Sequence, residues 1–265
     1  MLCESIAKNC NLDRELRLFD IGCSYGTLLL QAKDYLERFY KQKGKEIKVY
    51  AYGCDNSSQR ITLGAGFIKD LIDEGHIKDL ANFRTLIFHQ DILKRTSLEQ
   101  IDFIYMYDKA FEPFLLIHCL LIAIKSKDVK WIMSCKKKVS WKKQLKFDFQ
   151  DVIQKTNCFE ELCKIGNVRM AGSGESNTFI IYKKKHGVNN EFLTSQVKTR
   201  EFLRTIGVND ALHDDVIKIY FGKEGDNFEV HSYSSGVEWN KYYKKLADVE
   251  CLQQRDSKRA CQLHN

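Results

Sequence analysis

Apolar and polar positions along the first two thirds of the chain repeat as strand, turn and helix. Residues 17–21, "RLFDI", are a short β-like run. From 27 to 40 the apolar residues Leu28, Leu29, Ala32, Tyr35, Leu36 and Phe39 fall at helical spacing. "IKVYAYGCD" (47–55) predicts a second strand that ends in an acid, followed by the helix-like "RITLGAGFIKDLIDEG" (60–75). "RTLIFHQDI" (84–92) predicts a third strand and "IDFIYMYD" (101–108) a fourth. "LLIHCLLIAIKS" (115–126) predicts an apolar helix, and "VKWIMSCK" (129–136) a fifth strand. "NVRMAGSGESNTFIIYKKK" (167–185) predicts two more strands around a Gly-Ser-Gly turn. Strands alternating with helices give a doubly wound, Rossmann-like α/β fold: a mainly parallel seven-stranded sheet whose last strand is antiparallel.

Composition narrows the class. At 265 residues the chain suits one α/β domain with a smaller appendage. No segment reaches the roughly 20 uninterrupted apolar residues of a membrane span, so no membrane partner is expected. The 10 cysteines are scattered and no pair has CxxC spacing, which points to reduced thiols in the cytoplasm or nucleus. Cys158 and Cys163, the nearest approach to a metal-ligand pair, lack a second pair, so no metal is expected. The formal net charge is +7, and a dense lysine set with Trp131 and Trp141 lies between Lys125 and Lys146. Such a run either contacts nucleic-acid phosphates or an acidic protein face, or is simply a solvated surface.

Ligands of open α/β sheets collect beyond the carboxyl ends of the strands. The turn Gly22-Cys23-Ser24-Tyr25-Gly26 stands at such an end, where small residues allow a ligand close to the backbone. The following helix offers free amide groups there. A dinucleotide site would need G-x-G-x-x-G, whereas the spacing here is D-x-G-x-S-x-G, with Asp20 before the first glycine.

Asp20, Gly22, Ser24 and Gly26 resemble the first motif, D/E-x-G-x-G-x-G, of class I S-adenosylmethionine-dependent methyltransferases, with serine at the middle glycine. The resemblance implies S-adenosyl-L-methionine as cofactor. It also implies that Asp55, with Asn56 beside it, accepts hydrogen bonds from the ribose hydroxyls. Asp91, followed by Ile92, would face the adenine amino group, and the residues after the fourth strand would address the substrate. The stretches "EQIDFIYMYDKAFEP", "VKWIMSCKK" and "GSGESNTFIIYKK" look like the disruptor-of-telomeric-silencing (DOT-type) histone lysine methyltransferases. "GCDNSSQRITLGAGF" likewise resembles the acid-then-arginine helix of that family. The similarity spans about residues 16–185 and implies a protein-lysine acceptor in a histone or nucleosome. Asp108, Tyr107 and Phe111 are then the candidates for the lysine channel.

Methyl transfer from a sulfonium is an in-line displacement that rests on alignment, desolvation and a deprotonated nucleophile, so few catalytic side chains are expected. Tyr107 and Phe111 could equally be packing residues, and Asp108 a helix cap. Adenine-amino enzymes of the N-P-P-Y type and cytosine-carbon enzymes with Pro-Cys are disfavoured, because Pro113 is the only proline and Phe114 follows it. A ribose 2'-hydroxyl enzyme uses lysine, aspartate, lysine and glutamate in that order, for which Lys8, Asp108, Lys136 and Glu175 are available. RNA or DNA is the alternative acceptor, and a non-catalytic scaffold of the same fold is a third reading. Residues 1–185 are expected to form the methyltransferase domain, and 186–265 a small α+β extension with a polar end.

Overall fold

The computed structural model describes residues 2–10, 12, 15–78, 83–135, 138–141, 145–169, 176–188 and 190–222. The Gly-Ser-Gly turn at 172–174, Lys136, Glu175, the centre of the 125–146 basic run and the segment 223–265 lie outside the described residues. In chain order the elements are α1 (Leu2–Asn9), β1 (Glu15–Ile21), α2 (Thr27–Gln42), β2 (Lys48–Asp55), α3 (Ser58–Asp73) and β3 (Thr85–His89). There follow β4 (Phe103–Met106), α4 (Pro113–Lys125), β5 (Trp131–Ser134), β6 (Lys138–Trp141), β7 (Leu145–Asp148) and α5 (Phe149–Lys155). The last four are β8 (Phe159–Arg169), β9 (Ser176–Lys184), α6 (Gln196–Thr205) and α7 (Asp210–Phe221).

Among the described residues seven strands form one sheet in the order β3-β2-β1-β4-β5-β9-β8. The first five are mutually parallel, and β9 runs antiparallel to both β5 and β8. The last strand is therefore antiparallel, as its sequence suggests, and its hairpin partner β8 closes the edge outside it. β8 begins eight residues earlier than its pattern indicates, because its polar and apolar positions alternate irregularly (Phe159 and Ile165 buried, Glu160 and Lys164 exposed) across two register shifts. A small hairpin of β6 and β7 stands apart from the sheet.

The central strands β1 and β4 are buried on both faces over most of their length because helices cover both sides. On α2, Leu29, Ala32, Leu36 and Tyr40 are buried along one stripe, and the Tyr40 hydroxyl donates to the Ala7 carbonyl at 3.0 Å, tying α1 down. α4 is apolar all round, and residues 116–124 are buried throughout. Its outer face is covered by α7, so the described part of what the sequence suggests as an appendage packs onto the core. Where a mixture of helix and strand is expected beyond Lys185, the described residues form α6, α7 and one 3-10 turn, with Ser195 and Asn209 capping the two helices. Among the described residues no helix is long and apolar enough to cross a membrane.

Candidate active-site cleft

Parallel pairing sets the strand ends level. Ile21 of β1 lies beside Cys54 of β2 and Met106 of β4, and Asp55 lies beside His89 of β3. The four connections that leave these ends therefore share one rim. They enclose a cleft of about 730 Å³ lined by Gly22, Ser24, Asp55, Asn56, Asp91, Ile92, Tyr107 and Phe111, together with residues the sequence does not single out. That volume is in the range of small-ligand sites.

The turn after β1 is built by its neighbours. The N–H groups of Gly22 and Cys23 both donate to the Cys54 carbonyl, at 2.8 and 3.0 Å, so the chain folds back over the end of β2. Gly22 has φ +79°, and a Cβ there would point at the Phe111 ring 3.3 Å away. Gly26, at φ +75°, starts α2 without a side-chain cap and packs so that a Cβ would sit 2.6 Å from Ile87. Gly26 is thus a packing residue of the turn and is buried beneath it. Ser24 holds φ +52°, a left-handed conformation that glycine adopts without strain.

Asp55 organises the centre. Its Oδ2 accepts the Ser24 N–H at 3.1 Å and its Oδ1 accepts the Ser57 N–H at 2.8 Å, while an Arg60 nitrogen lies 3.7 Å away. A carboxylate offers about four lone-pair positions, more than these two hydrogen bonds use. Asn56 is exposed on the rim, and its carbonyl meets His89 Nε2 at 3.1 Å. Asp91 caps the 3-10 turn Ile92–Lys94 by accepting the Leu93 N–H at 3.0 Å, while Ile92 supplies an apolar wall.

Asp20 is 3% exposed and is placed behind the turn, in β1. Burial, reinforced by the Asp55 carboxylate, pushes it up to about 8. It therefore carries a proton through most of the neutral range. Cys54 also lines the cleft, but burial pushes its thiol up to about 12, and Cys23 is raised further still. Neither supplies a thiolate nucleophile near neutral pH.

At the far wall, Tyr107 is half-buried and stacks on Phe179 with centroids 6.1 Å apart, and Phe111 closes over Gly22. Asp108 is placed differently. The 3-10 turn Asp108–Ala110 directs its carboxyl inward, where it is fully buried, accepts the Cys135 N–H at 2.8 Å and is hydrogen-bonded by the Ser134 hydroxyl. Burial pushes it up, opposed by those hydrogen bonds. The carboxyl is a strut between the β4 and β5 ends. Lys8, the first member of the alternative tetrad, is in α1 and paired with Glu4 at 2.6 Å.

The cleft also recruits Tyr25, Gln90, Glu112, Phe114 and Leu115. Tyr25 and Gln90 adjoin residues of the motifs, and the break in apolar pattern at Glu112-Pro113 marks where α4 begins. Glu112 precedes α4 and makes no side-chain cap, so its carboxylate stays on the rim.

No protein-family model matches the sequence, and no curated protein matches it. Solved structures do. Magnesium protoporphyrin IX methyltransferase from Synechocystis PCC 6803, with bound SAM, is 12% identical over 69% of this chain and 76% of its own, with a TM-score of 0.46. M. capricolum TrmK, in complex with S-adenosyl-homocysteine, is 13% identical over 84% and 96%, at 0.40. Ribosomal protein L11 methylase from Lactobacillus delbrueckii subsp. bulgaricus is 14% identical over 70% and 78%, at 0.41.

Proposed function

We propose that the chain is an S-adenosylmethionine-dependent methyltransferase whose acceptor is a protein lysine, with a histone or nucleosome as the first substrate class. The observation that carries the reading is Asp55: a buried carboxylate at the end of β2, fixed by two backbone N–H groups, facing a cleft whose other wall is a left-handed glycine turn. The space over Gly22, which a Cβ would fill against Phe111, suits the close approach of a ligand chain. Asp55 would hold the ribose hydroxyls with Asn56 beside it, Asp91 and Ile92 would border the adenine, and Gly22 and Ser24 would border the amino-acid part. When bound, S-adenosylmethionine supplies an electrophilic methyl group on sulfur, which leaves as a neutral thioether.

The chain's own contribution is alignment and exclusion of water. Tyr107, Phe111 and Phe114 give the acceptor end an aromatic lining, which suits the alkyl stem and cationic head of a lysine. Removing that lysine from water favours its neutral form, which owns the lone pair needed for attack. Asp108 acts on this end indirectly, by fixing the turn that carries Phe111. The Phe111 N–H donates to the Asp108 carbonyl at 3.0 Å.

Transfer of labelled methyl groups to core histones, nucleosomes and RNA, by the wild type and by Phe111→Ala and Asp55→Asn, tests the assignment. Label on histone lysine that both substitutions abolish is the expected result. Label on RNA alone would replace the lysine reading with the nucleic-acid one.

A further inference from the structure

Away from the cleft, the chain builds a second concave surface. The cleft lies at the carboxyl ends of the parallel strands. At the other end, where β5 begins, β9 finishes and α4 stops, there is a hollow of about 400 Å³. Among the described residues five lysines and a histidine line it, and no acidic residue does. Two segments some 55 residues apart are brought together there, because β9 pairs antiparallel with β5 and the Lys184 N–H donates to the Lys130 carbonyl at 2.7 Å.

The cations are held in place. Lys184 Nζ donates to the carbonyls of Ala123, Ile124 and Ser126 at 3.0, 2.7 and 2.8 Å, sealing the C-terminus of α4, and forms the floor. Lys130 pairs with Asp102 at 2.7 Å and lies 5.8 Å from the Trp131 ring centroid. Lys125 lies 5.6 Å from the Tyr220 ring. Lys185 meets the Asn157 side chain, and Lys127 and His186 are exposed at the rim. Of the acids close by, Asp102 accepts the Arg17 N–H and pairs with Lys130, while Asp128 accepts the Gln100 N–H at 2.8 Å and places its charge near Lys184. Lys125, Lys127 and Lys185 are thus positive charges in a hollow without an ion-pairing acid among the described residues.

We propose that the hollow lined by Lys125, Lys127, Lys130, Lys184, Lys185 and His186 binds the phosphodiester backbone of a nucleic-acid strand. Several ammonium groups spread along a concave surface match a chain of evenly spaced phosphates, which point charges hold without reading sequence. Its place at the opposite end of the sheet makes it an anchoring site separate from the cleft, so it does not depend on what the cleft methylates.

The test is fluorescence anisotropy of a labelled 20-nucleotide single-stranded RNA with the full-length protein between 50 and 300 mM NaCl. The triple variant Lys125→Gln/Lys127→Gln/Lys185→Gln leaves Lys130 and Lys184 at their structural posts. A second variant, Lys41→Gln/Lys45→Gln/Lys48→Gln, removes equal charge from another surface. The expected result is a loss of roughly tenfold in affinity at 100 mM salt. The slope of log K against log salt should become shallower by about 2, three contacts at roughly 0.7 each. The second variant should bind nearly as wild type, and both should keep wild-type melting temperatures. Equal losses in the two variants, unchanged binding in the first, or equally effective competition by poly-glutamate would each overturn the proposal.

Discussion

The backbone N–H of Ser24 donates to Oδ2 of Asp55 at 3.1 Å, joining the turn after β1 to the end of β2. Ser24 makes this bond from a left-handed conformation, at φ +52°. Loop shape and the position of the acid are therefore one property.

Glycine at position 24 should keep this bond and shed the backbone strain, so Ser24→Gly is expected to fold with stability within about 1 kcal/mol of wild type and with unchanged or tighter cofactor binding. Ser24→Pro removes the donor and cannot reach φ +52°, and should cost more than about 1 kcal/mol. Urea melts of the two variants check the contrast.

Asp20 sets a pH dependence. The folded protein keeps a proton on Asp20 up to about pH 8, whereas the unfolded chain releases it above roughly 3.9. Between those values the native state binds more protons, so this group's contribution favours folding most at low pH. It declines by up to about 1.4 kcal/mol per pH unit and levels off beyond about 8. Asp20→Asn is expected to flatten this part of the stability profile between pH 5 and 8, measured by chemical denaturation.

Much of this site is legible in the sequence because it lies at strand ends, where a short apolar run, an acid and a glycine turn are contiguous. Gly22, Ser24, Asp55, Asn56, Asp91, Ile92, Tyr107 and Phe111 meet at one cleft for that reason. The orientation of Asp108 is not legible, since a 3-10 turn turns its carboxyl inward to two partners 26 and 27 residues away. Helices α6 and α7 are obscured by their polar outer faces, and what defines them is burial of Leu203, Leu212, Val216 and Tyr220 in the core. The basic hollow draws two of its five lysines, Lys184 and Lys185, from the end of β9, which no local pattern links to 125–130.

Removing the Asp108 carboxyl takes a buried acceptor from the Cys135 N–H and the Ser134 hydroxyl. Asp108→Ala is expected to lose roughly 2–4 kcal/mol of stability. Asp108→Asn, which keeps an acceptor, should lose less. Because Asp108 positions Phe111 rather than touching substrate, the asparagine variant should show a raised KM for the acceptor with kcat close to wild type. Steady-state kinetics beside thermal melts read the split.

Gly22→Ala probes the ligand space directly. Its Cβ would crowd Phe111 at 3.3 Å in a left-handed conformation, a strain of about 1–2 kcal/mol. The variant is expected to remain folded while cofactor affinity falls by more than tenfold. Phe111→Ala in the same chain should restore part of it, as a double-mutant cycle would record.

The central claim is that the carboxylate of Asp55 is the cofactor's anchor. Calorimetric titration of the wild type and Asp55→Asn with S-adenosylmethionine and S-adenosylhomocysteine tests it most directly. Wild-type binding of both ligands, weakened roughly 10- to 100-fold in a variant that stays folded, is the expected result. A folded wild type that binds neither, or a variant that binds both as tightly, would contradict it.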